Sequence, residues 1–322
     1  MNISHYKQMN VELIGKDHVR GNLPCQDKTA YYQKNGVRVI ALADGAGSKK
    51  DSHLGADIAT NTVCKLLIDK FDEYFTLLED EPSRKSNLGK IIVKEVYQNL
   101  NNLVTENKAI SIIEMSSTLL FVAMKGDRYI QGHIGDGLIG ELLNGETGLE
   151  VRVRSYPENN GAPNITFFIT DSDANDNFRI TSGFIGSHIK GFVLMSDGPE
   201  EVLYDLENKT LNPYIKNLFT MYKGTQKDSY SETLLRFLDE QVSKYSYDDL
   251  SINFLYIENE SIDYYKSLGQ DYLAYLDKKI SNGADVIRKS GYSYMIEDSF
   301  YVHKSSRSKM FVEGLIRGNF QK

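Results

Sequence analysis

Apolar residues in this sequence follow two spacings, one typical of helices and one typical of strands. Helical spacing predicts helices from about Ser52 onward and over residues 87–106, 211–222 and 231–242. Apolar or alternating runs predict strands over residues 37–43, 118–124, 128–134, 138–143, 149–154, 165–170, 191–195 and 250–257. Two helices, a run of hairpins, two helices and a final strand indicate an α+β fold on antiparallel sheets. Strict strand–helix alternation is missing, which argues against a doubly wound parallel sheet.

The end of the chain differs from its body. Periodicity weakens after about Glu260, so we predict one domain over residues 1–258 and an extension of unknown role over 259–322. Residues 278–322 hold nine Lys or Arg and four Asp or Glu, a net charge of +5, although the whole chain carries −7. We interpret the extension as a small subdomain on the acidic body rather than a docking arm for a phosphorylated partner.

The composition of the chain limits the cellular locations and the classes of binding partner that we expect for the protein. The net charge of −7 argues against general nucleic-acid binding. No apolar run approaches the roughly 20 residues that cross a bilayer, and the N-terminus lacks a signal-peptide core. Two cysteines, Cys25 and Cys64, form no disulfide framework. We therefore expect a cytoplasmic protein with no membrane or nucleic-acid partner.

Three apolar strands end in an aspartate followed by glycine. These aspartates are Asp44, Asp136 and Asp197, and Asp248 and Asp249 stand just before the strand over 250–257. A carboxylate at a strand end can enter a cleft from a rigid scaffold, and the adjacent glycine lets a backbone carbonyl approach closely. Any single Asp-Gly pair is more often a simple turn. Their repetition favours a shared acidic site.

Clustered carboxylates repel one another, so they need a cation or must keep protons. All-oxygen ligands suit Mg²⁺ or Mn²⁺, whereas zinc sites usually contain Cys or His at short spacing. The six His are scattered along the chain. The residues alone therefore make a hard-cation cluster plausible and leave its chemistry open.

The ordered motifs of the chain resemble the protein phosphatase 2C (PPM) family of metal-dependent serine/threonine phosphatases. The matching blocks are, in order, Pro24-Cys25-Gln26-Asp27, Ala43-Asp44-Gly45-Ala46-Gly47, Ser116-Ser117-Thr118, His133-Ile134-Gly135-Asp136-Gly137, Met195-Ser196-Asp197-Gly198 and Asp248-Asp249-Leu250-Ser251. Each block is weak alone, and the ordered set over about residues 11–258 is a strong signal.

The resemblance implies a four-layer αββα sandwich of two antiparallel sheets flanked by helices. It implies that two Mn²⁺ or Mg²⁺ ions bind at one end, with Asp44 bridging both and the Gly45 carbonyl on the first. Asp197 and Asp248 would bind the second ion, and Asp136 with Asp197 would hold a third of the kind seen in bacterial members.

The same resemblance implies a catalytic role for Asp27, which would hold metal-bound water. A water that bridges the cations would attack phosphoserine or phosphothreonine in line, because its pKa is lowered. The implied partners are a phosphorylated protein and a cognate serine/threonine kinase or its targets.

Three departures from the family pattern affect the catalytic residues. The phosphate-binding Arg usually stands five residues before the first Asp, whereas Arg20 stands seven before Asp27, which leaves Arg20 and His18 as candidates. Ala46 stands where some relatives have a His that protonates the leaving group. Asp249 replaces an Asn, and we interpret it as structural, with Asp248 as the ligand.

Two other functions remain open. A phosphatase-like module that senses or scaffolds without catalysis would explain the altered Arg spacing and the missing His. A carboxylate-metal nuclease would use the aspartates and the basic extension, although the overall acidity argues against it.

Overall fold

The computed structural model describes residues 6–79, 87–145, 148–158, 166–186, 188–221 and 227–257. The predicted extension over 259–322 lies outside these residues. The strands are β1 Tyr6–Leu13, β2 Lys28–Lys34, β3 Val37–Ala43, β4 Leu119–Lys125, β5 Arg128–Ile134, β6 Leu138–Gly145, β7 Gly148–Ser155, β8 Arg179–Phe184, β9 Ile189–Met195, β10 Tyr204–Asp205, β11 Thr210–Leu211 and β12 Leu250–Ile257. The helices are α1 Lys16–Gly21, α2 Ser52–Glu79, α3 Asn87–Glu106, α4 Ala174–Asn177, α5 Asp197–Leu203, α6 Tyr214–Met221 and α7 Lys227–Glu240, with short 3₁₀ turns at Ile112–Met115 and Val242–Lys244.

Ten of the strands form two five-stranded antiparallel sheets. The first sheet has the order β1-β12-β9-β6-β7, and the second has the order β2-β3-β4-β5-β8. A small hairpin pairs β10 with β11. The α+β fold of antiparallel sheets that the pattern predicts is therefore confirmed.

Three apolar layers hold the sandwich together. Between the sheets lie buried side chains such as Ile40, Val122, Phe192 and Leu255. The outer face of the second sheet packs against α2 and α3, and the outer face of the first sheet packs against α6 and α7. Strands buried on both faces read as continuous apolar runs, and β3 is an example. The result is the four-layer αββα arrangement that the resemblance implied.

Several predicted elements have different boundaries or are absent. The strand predicted over 165–170 is wrong over its described part, because Thr166 forms only an isolated bridge position and the amide of Asp171 closes a turn on Phe168. The helix predicted from residue 211 begins at Tyr214, since Leu211 pairs in β11 and Pro213 follows. Strands β1, β2, β8, β10 and β11 and helices α1, α4 and α5 were not predicted.

No helix in the described part of the chain combines the length and the apolarity that a membrane crossing requires.

Helix α2 approaches the chain that leads into β4 more closely than any side chain allows. A Cβ atom on Gly55 would lie 1.8 Å from the carbonyl oxygen of Met115. Met115 is immediately followed by Ser116, whose carbonyl accepts a hydrogen bond from the amide of Ala46. This contact therefore sets the position of α2 against the loop that follows Asp44.

We expect Gly55→Ala to destabilise the fold by about 3 kcal/mol, because backbone must move to admit the methyl group. Gly89→Ala is the matched control: it also lies in a helix, and its nearest contact would be an ordinary 3.6 Å from Ile180. That change should stabilise by about 0.5 to 1 kcal/mol, because alanine restricts the unfolded chain. Urea unfolding measures both, and equal effects of the two changes would contradict the close contact.

Candidate metal centre

Antiparallel pairing brings four chain segments to one end of the sandwich. β3 and β5 run in the same direction in the second sheet, and they end at Ala43 and Ile134. In the first sheet, the end of β9 lies beside the start of β12, with Met195 opposite Ile252. Asp44, Asp136, Asp197 and Asp248 all stand within two residues of these strand ends.

Three of these aspartates form one acidic cluster. One carboxylate oxygen from each of Asp44, Asp136 and Asp197 can be chosen so that all lie within 4.8 Å of one another, and all three residues are half-buried. Burial raises the pKa of Asp44 well above its usual range, and the charge of Asp197 raises it further. The pKa of Asp197 is also raised well above its usual range, by burial and then by Asp248 and Asp136.

Asp248 lies beside this cluster rather than inside it. It is exposed, and its carboxylate oxygen Oδ1 accepts a hydrogen bond of 2.8 Å from the amide of Asp249. Its charge is nevertheless close enough to be the largest electrostatic influence on the pKa of Asp197. Gly45, the remaining predicted ligand, is buried and pairs with Ser117 in an isolated bridge.

Asp27 lies behind the cluster and is fully buried. The hydroxyl of Ser196 donates a 2.7 Å hydrogen bond to Asp27 Oδ2, and the hydroxyl and amide of Ser251 lie 3.1 Å from Ser196 Oγ. Burial raises the pKa of Asp27 to about 7, against the opposing effect of the Ser196 hydrogen bond. Asp27 therefore joins β9 and β12 to the segment that leads into β2.

Asp249 connects the loops around the acidic cluster. It is buried, and it accepts hydrogen bonds from the amides of Gly15 at 2.6 Å and Gln26 at 2.5 Å. His18 Nδ1 lies 2.9 Å from the second carboxylate oxygen. A carboxylate can accept from several donors at once, which an amide oxygen of Asn does less well. His18 consequently faces the protein interior.

Arg20 lies on the surface at the edge of this region. Its guanidinium contacts Asp17 at 3.1 Å, with both side chains about two-thirds exposed, and it lies 5.4 Å from the centre of the Tyr247 ring. Tyr247 immediately precedes Asp248 in the chain. The structure therefore places Arg20 beside the acidic end of the sandwich but outside the cluster.

Two contributions to the site had no signal in the pattern of apolar residues. Thr118 hydrogen-bonds reciprocally with Asp44, its hydroxyl accepting from the Asp44 amide at 2.9 Å and its own amide donating to the Asp44 carbonyl at 2.8 Å. Glu200 follows Asp197 by three residues on α5, so the helix brings both to one side. Burial raises the pKa of Glu200 to about 7, with further contributions from Glu201 and Asp136.

The donor atoms at the cluster suit a hard divalent cation. Its members offer only carboxylate oxygens, which Mg²⁺ and Mn²⁺ accept readily. Asp136 Oδ1 is buried and has no hydrogen-bond donor among the described residues, which leaves it free to bind a cation. The nearest His in sequence, His133, instead places Nδ1 2.9 Å from the Ser155 hydroxyl.

Comparison with known proteins places the chain in a family. The family profile described as Protein phosphatase 2C matches residues 14–239, which includes Asp27, Asp44, Asp136 and Asp197 but not Asp248. No curated protein sequence gives a significant match.

Solved structures share the fold at low sequence identity. A serine/threonine phosphatase from S. agalactiae is 15% identical, with a TM-score of 0.54 over 79% of this chain and 100% of that one. A serine/threonine phosphatase from Staphylococcus aureus is 14% identical, with a TM-score of 0.54 over 80% and 96%. A serine-threonine phosphatase 2C from Toxoplasma gondii is 12% identical, with a TM-score of 0.54 over 79% and 95%.

We expect the metal-free protein to lose stability as the pH rises from about 4 to about 7. Asp27, Asp44 and Asp197 have higher pKa values in the folded protein than in the unfolded chain. Their protonated forms therefore stabilise the fold fully at a pH below the unfolded-state pKa values. This stabilisation is lost as the pH rises through the folded-state pKa values. Asp44→Asn removes one charge from the cluster. In chelator at pH 7.5 it should therefore be more stable than wild type, by about 1 to 2 kcal/mol.

Urea unfolding at pH 5 and pH 7.5, with chelator or with Mn²⁺, measures these effects. Mn²⁺ should stabilise wild type at pH 7.5 and Asp44→Asn much less, since a ligand that binds only the folded state raises its stability. A metal-free Asp44→Asn protein less stable than wild type at pH 7.5 would show that the carboxylates do not repel one another.

Proposed function

Because the chain belongs to the protein phosphatase 2C family, we propose that it hydrolyses phosphoserine and phosphothreonine in proteins at its acidic cluster. The observation that carries the proposal is the convergence of Asp44, Asp136 and Asp197 within 4.8 Å at the end of the sandwich. A serine/threonine kinase must supply substrates of this kind.

We assign the metal-binding roles to the carboxylates at the strand ends. Asp44, with the carbonyl of Gly45, and Asp197 with Asp248 would hold two Mn²⁺ or Mg²⁺ ions, and Asp136 with Asp197 would hold a third. When bound, these cations supply an activated water and neutralise charge on the transferring phosphoryl group. The raised pKa values of Asp44 and Asp197 are consistent with this assignment, since uncompensated carboxylates in one site favour protonation.

The proposed role of Asp27 is to orient the attacking water. Ser196 occupies its Oδ2 atom, whereas Oδ1 is buried and has no donor among the described residues. Oδ1 is therefore available to accept a hydrogen bond from a water at the cluster. Ser196 and Ser251 keep the Asp27 side chain in one orientation. A side chain that orients an attacking water must itself be held in a fixed position.

The group that binds the substrate phosphate stays a prediction. Arg20 is held by Asp17 and Tyr247 at the edge of the site, and reaching a phosphate would require its guanidinium to leave Asp17. His18 is directed at Asp249. Ala46 supplies no proton donor, so the proposal assigns protonation of the leaving group to water.

We expect Asp197→Ala to lower kcat/KM by about three orders of magnitude or more, because it removes a ligand shared by two of the proposed cation sites. The measurement is hydrolysis of an aryl phosphate and of phosphoserine peptides with Mn²⁺ or Mg²⁺. Asp69→Ala is the matched control, since Asp69 is exposed and pairs with Lys34 on the surface. It should retain wild-type activity.

Calorimetry separates catalysis from a scaffold role. If the folded wild type binds Mn²⁺ yet hydrolyses no substrate with any divalent cation, the protein is a non-catalytic member, as Ala46 and the position of Arg20 would allow. If it neither binds Mn²⁺ nor hydrolyses phosphate esters, the metal assignment fails as well.

A further inference from the structure

Exposed apolar side chains concentrate around α1 and in the segment that leads to Asp248. Ten large apolar side chains are exposed in the described part of the chain, and five of them belong to two short segments around α1 and before β12. We call these five residues the α1 face; they are Ile14, Val19, Leu23, Tyr245 and Tyr247. Scattered single apolar residues are ordinary on a protein surface, but a group of this kind marks an interaction site.

The two segments of the α1 face are joined directly. The amide of Asp17 donates a 3.2 Å hydrogen bond to the carbonyl of Tyr247. Lys16 Nζ and the Arg20 guanidinium each lie 5.4 Å from the centre of the Tyr247 ring, one helical turn apart. The ring is thereby fixed while half of its surface stays exposed to solvent. Preorganised aromatic side chains of this kind are typical anchors in binding surfaces.

The α1 face is also tied to the metal centre. A Cβ atom on Gly15 would lie 2.3 Å from the backbone of Asp248, so the start of α1 rests on the chain of a predicted ligand. Asp249 then binds the amides of Gly15 and Gln26, and Gln26 directly precedes Asp27. A polypeptide whose phosphorylated side chain reaches the cluster therefore has its neighbouring residues within reach of the α1 face.

The charges on this surface favour an acidic partner. Lys16, Arg20 and Lys244 are exposed there, against two exposed acidic side chains, Asp17 and Asp248, and Asp248 is one of the proposed metal ligands. The chain as a whole carries a net charge of −7, so this is a local excess of positive charge. Lys16 Nζ also donates to the carbonyl of Ser243, which fixes the loop that carries Lys244 beside α1. Complementary charge guides partners and fixes their orientation.

We propose that the α1 face binds the polypeptide that flanks the phosphorylated residue, and that it selects substrates with an apolar and an acidic side chain near the phosphoserine. The exposed tyrosines and Leu23 contact the apolar side chain, and Lys16 and Lys244 attract the acidic one. The proposal rests on the proposed phosphatase function and deepens it. A second copy of this chain is disfavoured, because a symmetric contact through this face would bring basic side chains together.

Four phosphoserine peptides of equal length test the selection in wild type. One peptide carries a Leu and an Asp near the phosphoserine, two replace either the Leu by Ser or the Asp by Lys, and the fourth replaces both. We expect kcat/KM with Mn²⁺ to be about tenfold higher for the first peptide than for the fourth, about 1.4 kcal/mol of discrimination. Equal kcat/KM for all four would overturn the proposal.

Paired surface variants locate the selection. The double variant Leu23→Ser, Tyr245→Ser should reduce the preference for the Leu peptide over the Ser peptide to less than twofold. Each kcat/KM for a peptide is divided by the kcat/KM of the same variant for an aryl phosphate. Leu235→Ser is the matched control, because Leu235 on α7 and Leu23 are both 40% exposed. It should keep the wild-type preference. Lys244→Glu should reverse the preference for Asp over Lys.

The outcomes distinguish this proposal from the proposed function. If wild type hydrolyses no phosphate ester, the phosphatase proposal fails. Fluorescence anisotropy of the labelled peptides with Mn²⁺ then tests peptide binding by the α1 face alone. Tighter binding of the first peptide to wild type, lost in the double variant, would support the proposal. Equal affinities for all four peptides would overturn it. A wild-type dimer in sedimentation that dissociates in the double variant would show that a second copy occupies the face.

Discussion

The repulsion among the carboxylates at one end of the sandwich is the constraint around which the rest of the structure is organised. Asp44, Asp136 and Asp197 would separate in an unconstrained chain, since like charges in a partly buried site disfavour one another. Their positions are fixed instead by strands buried on both faces, whose apolar contacts are independent of charge. The fold therefore holds its acidic groups in place before any cation binds, and a cation binding there gains from repulsion that is already present.

Hydrogen bonds from hydroxyl-bearing side chains complete this restraint where the strands end. Thr118 holds the backbone of Asp44, and Ser196 holds the side chain of Asp27. Asp249 performs the same task with a charged group, accepting two amides while His18 lies beside it. Asp249 adds a buried carboxylate to an already acidic region, and its hydrogen bonds with the amides of Gly15 and Gln26 offset part of that cost.

The sequence predicted the parts of the fold in which burial produces a simple pattern. β3 and β12 were predicted with their observed bounds because their runs are largely apolar, and β5 was predicted because it follows a Gly-Asp turn after β4. Each of the three leads into or out of an acidic residue of the site. β1 was missed because it is an edge strand that carries polar Gln8 and Asn10, and Gln8 is buried through a hydrogen bond to Asn253. Such a bond joins residues far apart in sequence, and no local pattern encodes it. Ser196 and Ser251 belong to the matched motif blocks, but their hydrogen-bonded link to Asp27 was not predicted, for the same reason.

Under the proposed function, the position of α1 balances the attraction of a phosphorylated substrate against the binding of metal ions. Without cations the cluster repels a phosphate, so its charge opposes substrate approach until metal is bound. Lys16, Arg20 and Lys244 lie far enough from the cluster to remain exposed and charged, yet α1 rests on the chain beside Asp248. Placing these cations inside the cluster would neutralise the carboxylates and weaken metal binding. Keeping them at its edge, with Arg20 on Asp17 and Tyr247, lets the surface attract an acidic polypeptide while the carboxylates stay available to metal ions.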